Sequence, residues 1–240
     1  MAGTTLLKAL TQAGMGSRRA MADAVMHGRV AVNGETAGSL KHPVDTDIDR
    51  VTIDGREVDL SPQGMIYIML NKPVGVVSSV SDSRARQTVI DILPARYRKV
   101  RLHPVGRLDI DTTGLLLLTN DGGFTHRLTH PRFEQEKEYL ARVDGRLSPE
   151  EICSLEQGVE LGDGVTHRAV VREVEGAPPF SYSVAIHEGR KRQVRRMFAA
   201  LGRRVISLHR VRVGELRLGA LAEGEVRELA AEELDWLTRG

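Results

Sequence analysis

His103-Pro104-Val105-Gly106-Arg107-Leu108-Asp109-Ile110-Asp111-Thr112-Thr113-Gly114-Leu115-Leu116-Leu117-Leu118 sets two carboxylates, an arginine and two glycines directly before a continuous apolar run. Four consecutive leucines leave no polar face, as expected of a strand buried on both sides of a sheet. Ile66-Tyr67-Ile68-Met69-Leu70 has the same character and predicts a second such strand. A carboxylate on the turn that feeds a buried strand can serve as nucleophile, acid or base, or metal ligand. Asp109 and Asp111 share one side of an extended segment, which allows a metal site. A tight turn in which both aspartates cap backbone amides accounts for the same spacing. The residues alone leave these readings open.

Outward from this segment, helices and strands alternate without βαβ order, which predicts an α+β fold around a mixed, largely antiparallel sheet. Ser148-Pro149-Glu150-Glu151 is a capping box with proline at the first helical position, so a helix starts there. Cys153 falls inside that helix and reads as a small core residue. Arg192 to Leu201 has helical spacing through Val194, Met197, Phe198 and Leu201, and 230–237 predicts a final helix. Asp59-Leu60-Ser61-Pro62-Gln63-Gly64 is a polar break, and it divides the chain into a small module, 1–60, and a larger domain, 61–240. In the module, Leu6, Leu7, Leu10 and Ala13 predict a helix stopped by Gly14. Ser17 is expected to cap a second helix that Gly28 ends, and Asn33-Gly34 to close a hairpin.

The 240 residues carry 34 Lys and Arg against 32 Asp and Glu, a net charge of only +2. The distribution is uneven: 189–212 holds nine basic residues and no acid, and 84–107 holds seven against Asp91 alone. Residues 1–34 carry four bases to one acid, whereas 35–60 carry seven acids to three bases. Basic clusters between acidic stretches predict a polyanion footprint. No apolar run is long enough to span a membrane, and Met1–Lys8 lacks the pattern of a signal peptide, so a soluble cytoplasmic protein is expected. One cysteine makes neither an internal disulfide nor a Cys-rich zinc site. The eight histidines lack metal-ligand spacing, so His103, His126 and His130 read as loop or core residues, and no metal is expected.

Gly106-Arg107-Leu108-Asp109 followed by Asp111-Thr112-Thr113-Gly114-Leu115-Leu116-Leu117-Leu118-Thr119-Asn120-Asp121-Gly122 resembles the signature of RNA pseudouridine synthases. More narrowly, it resembles the ribosomal small-subunit pseudouridine synthase A branch. The resemblance extends to Leu70-Asn71-Lys72-Pro73-Val74-Gly75-Val76-Val77, to Glu136-Lys137-Glu138-Tyr139-Leu140 and to Glu188-Gly189-Arg190-Lys191-Arg192-Gln193-Val194-Arg195-Arg196-Met197-Phe198. Gly16-Ser17-Arg18-Arg19 and Gly28-Arg29-Val30-Ala31-Val32-Asn33-Gly34 resemble the S-four RNA-binding domain.

The resemblance implies that Asp109 is the nucleophile, that Tyr139 stacks on a flipped uracil, and that Arg195 pairs with Asp109, with Arg192 and Arg196 close by in sequence. It implies RNA contacts from Arg18, Arg19, Arg29, Arg107, Arg190, Lys191, Arg192 and Arg196. The reaction breaks the bond between uracil nitrogen and ribose, turns the base and rejoins it through carbon; it oxidises nothing and imports no group, so no cofactor is implied. The implied partner is ribosomal RNA, free or in an assembling subunit. Arg190-Lys191-Arg192-Gln193-Val194-Arg195-Arg196 looks closer to members acting on the large subunit, which makes that RNA the expected target. A monomer is expected. Two other readings are weighed: a non-catalytic RNA-binding assembly factor, and a phosphodiesterase holding a metal between Asp109 and Asp111.

Overall fold

The computed structural model describes residues 4–175, 179 and 181–239. The chain forms two compact units. The first runs to Met65 and also includes Ala95–Arg101; the second comprises Ile66–Pro94 and the chain from Leu102 onward. The division expected after residue 60 thus falls at Met65/Ile66. Leu60 is buried in the first unit's core, and the Gln63 N–H bonds the Gln12 carbonyl, so the polar break remains tied to the first unit.

In the first unit Thr4–Thr5 (β1) pairs antiparallel with Pro43–Val44 (β4), beside helices Leu6–Gln12 (α1) and Arg18–Met26 (α2). The Ser17 side chain accepts from the Ala20 N–H, satisfying one orphan donor of α2. Val30–Val32 (β2), Glu35–Thr36 (β3), Val51–Ile53 (β5) and Arg56–Val58 (β6) form a sheet of order β3-β2-β5-β6. Asn33 and Gly34 both take positive φ, 53° and 88°, the conformation a two-residue hairpin requires. Leu6, Leu10, Val25, Val30 and Val51 make the core. The helix Ala95–Arg98 (α3) lies in the segment that joins this unit.

The second unit is built on Tyr67–Lys72 (β7), His103–Val105 (β8), Thr112–Thr119 (β9), Lys137–Val143 (β10), Val170–Glu173 (β13), Tyr182–Ile186 (β14), Val205–Val213 (β15), Leu216–Arg217 (β16) and Val226–Glu228 (β17). These nine strands form one mixed sheet, β13-β14-β10-β15-β9-β7-β17, with β16 on β15 and β8 on β9. All its pairings are antiparallel except that of β15 with β9. The Leu115–Leu118 run lies in the centre of this sheet and is fully buried. Helices Gly122–Thr129 (α4), Pro149–Gln157 (α5), Gln193–Ala200 (α6) and Ala231–Thr238 (α7) and the small hairpin Glu160–Leu161 (β11), Gly164–Val165 (β12) complete the unit.

The capping box at Ser148 forms with both of its bonds. Cys153 is exposed rather than in the core. It precedes Leu155, the buried residue of α5, by two positions, about 200° around the helix, which turns it to solvent. The parallel β9–β15 pair places Gly114 against Arg210. Gly114 has φ +104°, and a Cβ there would lie 2.3 Å from the Arg210 carbonyl oxygen, so only glycine fits this crossing.

Candidate active site

The sheet's centre delivers the 106–111 turn to the entrance of β9, and neighbouring backbone fixes it. The Ser78 hydroxyl bonds both the N–H and the carbonyl of Leu108, at 3.2 and 3.0 Å. The Gly75 N–H donates to the Ile110 carbonyl at 2.8 Å, and the Thr112 N–H to the Asp109 carbonyl at 3.0 Å. Gly75 itself lies on a turn ordered from beneath by Lys72. This wholly buried lysine donates to the carbonyls of Pro73 and Val76, at 2.7 and 2.8 Å. Burial pushes its ammonium down to about 8, against the pull of Asp111, Glu223 and Asp109.

Helix α6 supplies the cations. Arg192 caps it at φ 52°, a left-handed backbone that costs a non-glycine residue about 1 kcal/mol. Its guanidinium grips both oxygens of Asp111, at 3.0 and 2.8 Å. One helical turn on, Arg195 stands 3.4 Å from the Asp111 carboxylate and bonds the carbonyls of Asp111 and Val205. The Arg192 hydrogen bond holds the Asp111 carboxyl below its usual range, with Arg195 adding to the effect. Arg195, expected on Asp109, is therefore an Asp111 partner. Arg192 and Arg195 lie on one face of α6, and that face meets the residue two beyond Asp109. The Asp109 carboxylate, half-buried, makes no ion pair within 4.0 Å among the described residues, while Arg192, Arg195 and Lys72 all act on it at longer range. A metal between the two aspartates would have to displace Arg192, since both Asp111 oxygens are occupied.

Asp109 opens into a cavity of about 410 Å³ that also exposes Arg107, Thr112, Tyr139, Arg190, Lys191 and Arg192. Tyr139 is buried in β10 and presents its ring to this space, with the Arg210 guanidinium 6.0 Å from the ring centroid. Asp109, Tyr139 and Arg192, far apart in sequence, thus line one opening.

The arginines predicted to contact RNA divide into two groups. Arg29 is paired with Asp54, and Arg196 with Asp163. Arg190 bonds the carbonyls of Asp163, Gly164 and Val165 and the Glu188 carboxylate, which pins the β11–β12 hairpin. Arg192 is held by Asp111. Arg18, Arg19, Arg107 and Lys191 are exposed, without a carboxylate within 4.0 Å among the described residues. Apart from Glu188, two residues before Arg190, the acids that neutralise the first group are distant in sequence and invisible to a local charge count. Sequence reasoning also passed over Lys72 and Ser78 as site residues. A lysine closing the apolar run of β7 was the available signal for the first; a lone serine gives none for the second.

A family model described as RNA pseudouridylate synthase matches residues 66–200, and one described as S4 domain matches residues 4–47. An uncharacterized RNA pseudouridine synthase of Mycobacterium tuberculosis (strain H37Rv) is 42% identical over 239 residues, 98% of this chain and 93% of that one. Ribosomal large subunit pseudouridine synthase B of Bacillus subtilis (strain 168) is 39% identical over 232 residues, 95% of this chain and 93% of the relative. The protein of that name from Pseudomonas aeruginosa is 40% identical over 242 residues, 98% of this chain but 62% of the longer relative. A crystal structure of a pseudouridylate synthase superposes with TM-score 0.70 at 32% identity, covering 98% of this chain and all of that one. With an S4 domain ahead of a mixed-sheet unit whose central turn carries Asp109, the chain belongs to the RNA pseudouridylate synthase family.

Proposed function

We propose that the protein isomerises one uridine of large-subunit ribosomal RNA to pseudouridine, with Asp109 as nucleophile. The observation that carries this is the shared cavity of Asp109 and Tyr139, beside cations that are fixed on the neighbouring aspartate and leave the Asp109 carboxylate open. The target base leaves its stack, and the Tyr139 ring supports it, an interaction worth about 1–3 kcal/mol per base. Asp109 attacks the sugar carbon or the uracil ring, and the bond between the base nitrogen and C1′ breaks. The base turns and its C5 bonds to C1′. The C5 proton is lost, the ring nitrogen regains one, and Asp109 leaves unchanged. No electrons are transferred.

Arg192 and Arg195 act through Asp111, keeping the turn that aims Asp109 in one geometry and supplying positive potential beside it. Exposed Arg18 and Arg19 on the S4 domain, with Arg107 and Lys191 at the cavity, meet RNA phosphates. The relatives named for the large subunit support that RNA over the small-subunit branch. No helix of the described residues is long and apolar enough to cross a membrane. We read the protein as a cytoplasmic monomer working on RNA, free or in an assembling subunit.

Pseudouridine mapping of ribosomal RNA from cells carrying the wild-type protein or Asp109→Asn tests the proposal. Loss of one specific pseudouridine in the variant, with RNA binding retained, is the expected result. An unchanged map, together with wild-type protein inactive on purified RNA, removes the catalytic reading.

A further inference from the structure

The second unit opens into another pocket, of about 670 Å³, which Tyr139 lines and Asp109 does not. The two openings share Gly106, Arg107, Tyr139, Gly189 and Arg190. Strand alternation decides what faces it. In β10, Lys137 and Tyr139 point to one side of the sheet and Glu138 to the other. Opposite them in β15, register pairs Lys137 with Val213 and, after a bulge, Tyr139 with Arg210. On the far side Arg212 takes both Glu136 and Glu138 as partners. The acids of this segment are therefore used on one face, and Lys137 and Arg210 remain on the other.

These two cations lack a counter-charge. Lys137 Nζ donates only to the Gln135 carbonyl at 2.6 Å, and Arg210 Nε to the Leu115 carbonyl at 2.7 Å. Neither has a carboxylate within 4.0 Å among the described residues, and Arg210 is only 4% exposed. Glu188 lines the pocket but is bound by Arg190, the Gln193 amide and the His167 N–H. Glu134 stands exposed at the rim. Val105, Leu117, Leu128 and Val213 make one part of the wall apolar; Arg107, Arg132 and Arg190 add further cations to the lining, and His130, His167 and His187 add imidazoles. Burial, and then Arg210, push the Lys137 ammonium down to about 8, as expected of a cation kept beside another without an anion between them. Two adjacent cations held largely out of water are stable partners for an anion and poor neighbours for each other.

We propose that this pocket is a phosphate subsite: Lys137 and Arg210 bind one phosphodiester of the RNA strand that carries the target uridine, adjacent to the base held at Tyr139. The assignment rests on the reading of the chain as a synthase that binds a flipped uridine between Asp109 and Tyr139. A bound phosphate between the two cations would fix the strand's register, so the subsite positions the substrate and takes no part in bond making.

The test uses the full chain and an RNA oligonucleotide spanning the mapped uridine, with single methylphosphonate linkages walked along the strand around it. Lys137→Met keeps the apolar stem and removes the charge; Lys137→Arg restores the charge. In Lys137→Met we expect KM to rise by about tenfold or more, the size of a lost hydrogen bond to a charged group. The slope of log(kcat/KM) against log salt should flatten by about 0.7 to 1, one phosphate contact. Lys137→Arg should recover both. One neutral linkage should weaken wild type by the same factor and leave Lys137→Met unaffected. Wild-type turnover with Lys137→Met unchanged in KM and salt slope, or every neutral linkage acting equally on both proteins, overturns the subsite alone. A wild-type protein that makes no pseudouridine in this RNA overturns the synthase reading and the subsite with it.

Discussion

Replacing Gly114 by alanine should break the catalytic sheet at its one parallel seam. The added Cβ would lie 2.3 Å from the Arg210 carbonyl oxygen, 2.6 Å from its nitrogen and 2.9 Å from its carbonyl carbon. Unstrained contacts of this kind start above 3.0 Å, so β9 and β15 must separate by most of an ångström, and all three obstacles are backbone atoms. A residue with a Cβ at φ +104° adds about 1–2 kcal/mol of strain. Loosening the Leu208–Thr112, His209–Thr113 and Arg210–Gly114 pairs forfeits two or three hydrogen bonds at about 1 kcal/mol each. The sum is about 4 kcal/mol. Trp236 is the only tryptophan and lies in α7, so its fluorescence follows urea unfolding of the second unit. With a slope of about 2.5 kcal/mol per molar, the midpoint should fall by about 1.5 M. Because β9 opens at Thr112, the Asp109 turn shifts with it, and kcat should fall under conditions where the variant is still folded. A midpoint within about 0.3 M of wild type would refute the close-packed crossing.

Three further outcomes follow from the same geometry. Asp111→Asn keeps the carbonyl that Arg195 holds but removes the carboxylate charge paired with Arg192; it should lower kcat/KM by about tenfold, a 1.4 kcal/mol effect, whereas Asp109→Asn should abolish turnover. If the two variants lose activity equally, the roles assigned to the aspartates are wrong. Arg18→Ala or Arg19→Ala should weaken RNA binding and flatten its salt dependence, while Arg29→Ala, already paired with Asp54, should leave the salt slope as it is; filter binding across a salt series reads both. Lys72 and Lys137 release their protons near 8 when folded but near 10.5 when unfolded. Between pH 8 and 10 the unfolded chain therefore holds more protons, and stability should rise with pH. Tyr67, raised to about 12 by burial and the Asp121 bond, opposes this above pH 10. Urea midpoints at pH 7, 8, 9 and 10 that stay flat or fall would show that these lysines are not held as the structure places them.

Much of this architecture was legible because its signals are local. Four leucines with no polar face made the central strand, Ser148 to Glu151 made a capping box, and Asn33-Gly34 made a turn, each through contacts within a few residues. What was hidden depended on partners far along the chain. Arg29, Arg190 and Arg196 looked like free RNA-binding cations because Asp54, and Asp163 for the latter two, arrive only through folding. Arg195 looked like the partner of Asp109 because a linear motif cannot tell which of two aspartates, two residues apart, a helix face will meet. Cys153 was misplaced for a simpler reason: helical spacing from Leu155 already turned it outward.

The Arg195 correction bears on how the site works. On the role proposed for Asp109, a guanidinium bonded directly to its carboxylate would stabilise the charge and also occupy the oxygens, at a cost to nucleophilicity. Here the direct bonds go to Asp111, which carries two arginines and leaves the Asp109 oxygens without an ion pair. Because Asp111 lies two residues beyond Asp109 on the same turn, what fixes one carboxylate fixes the backbone of the other. Ser78 holds Leu108 and Gly75 holds Ile110, the two neighbours of Asp109 in sequence, and Lys72 orders the loop that carries Gly75. The cost of burying Lys72 and of the left-handed backbone at Arg192 is thus concentrated on elements that hold the turn. Such expense is expected where geometry must be set before the substrate arrives, since a misplaced nucleophile loses far more rate than a few kcal/mol of stability is worth to the fold.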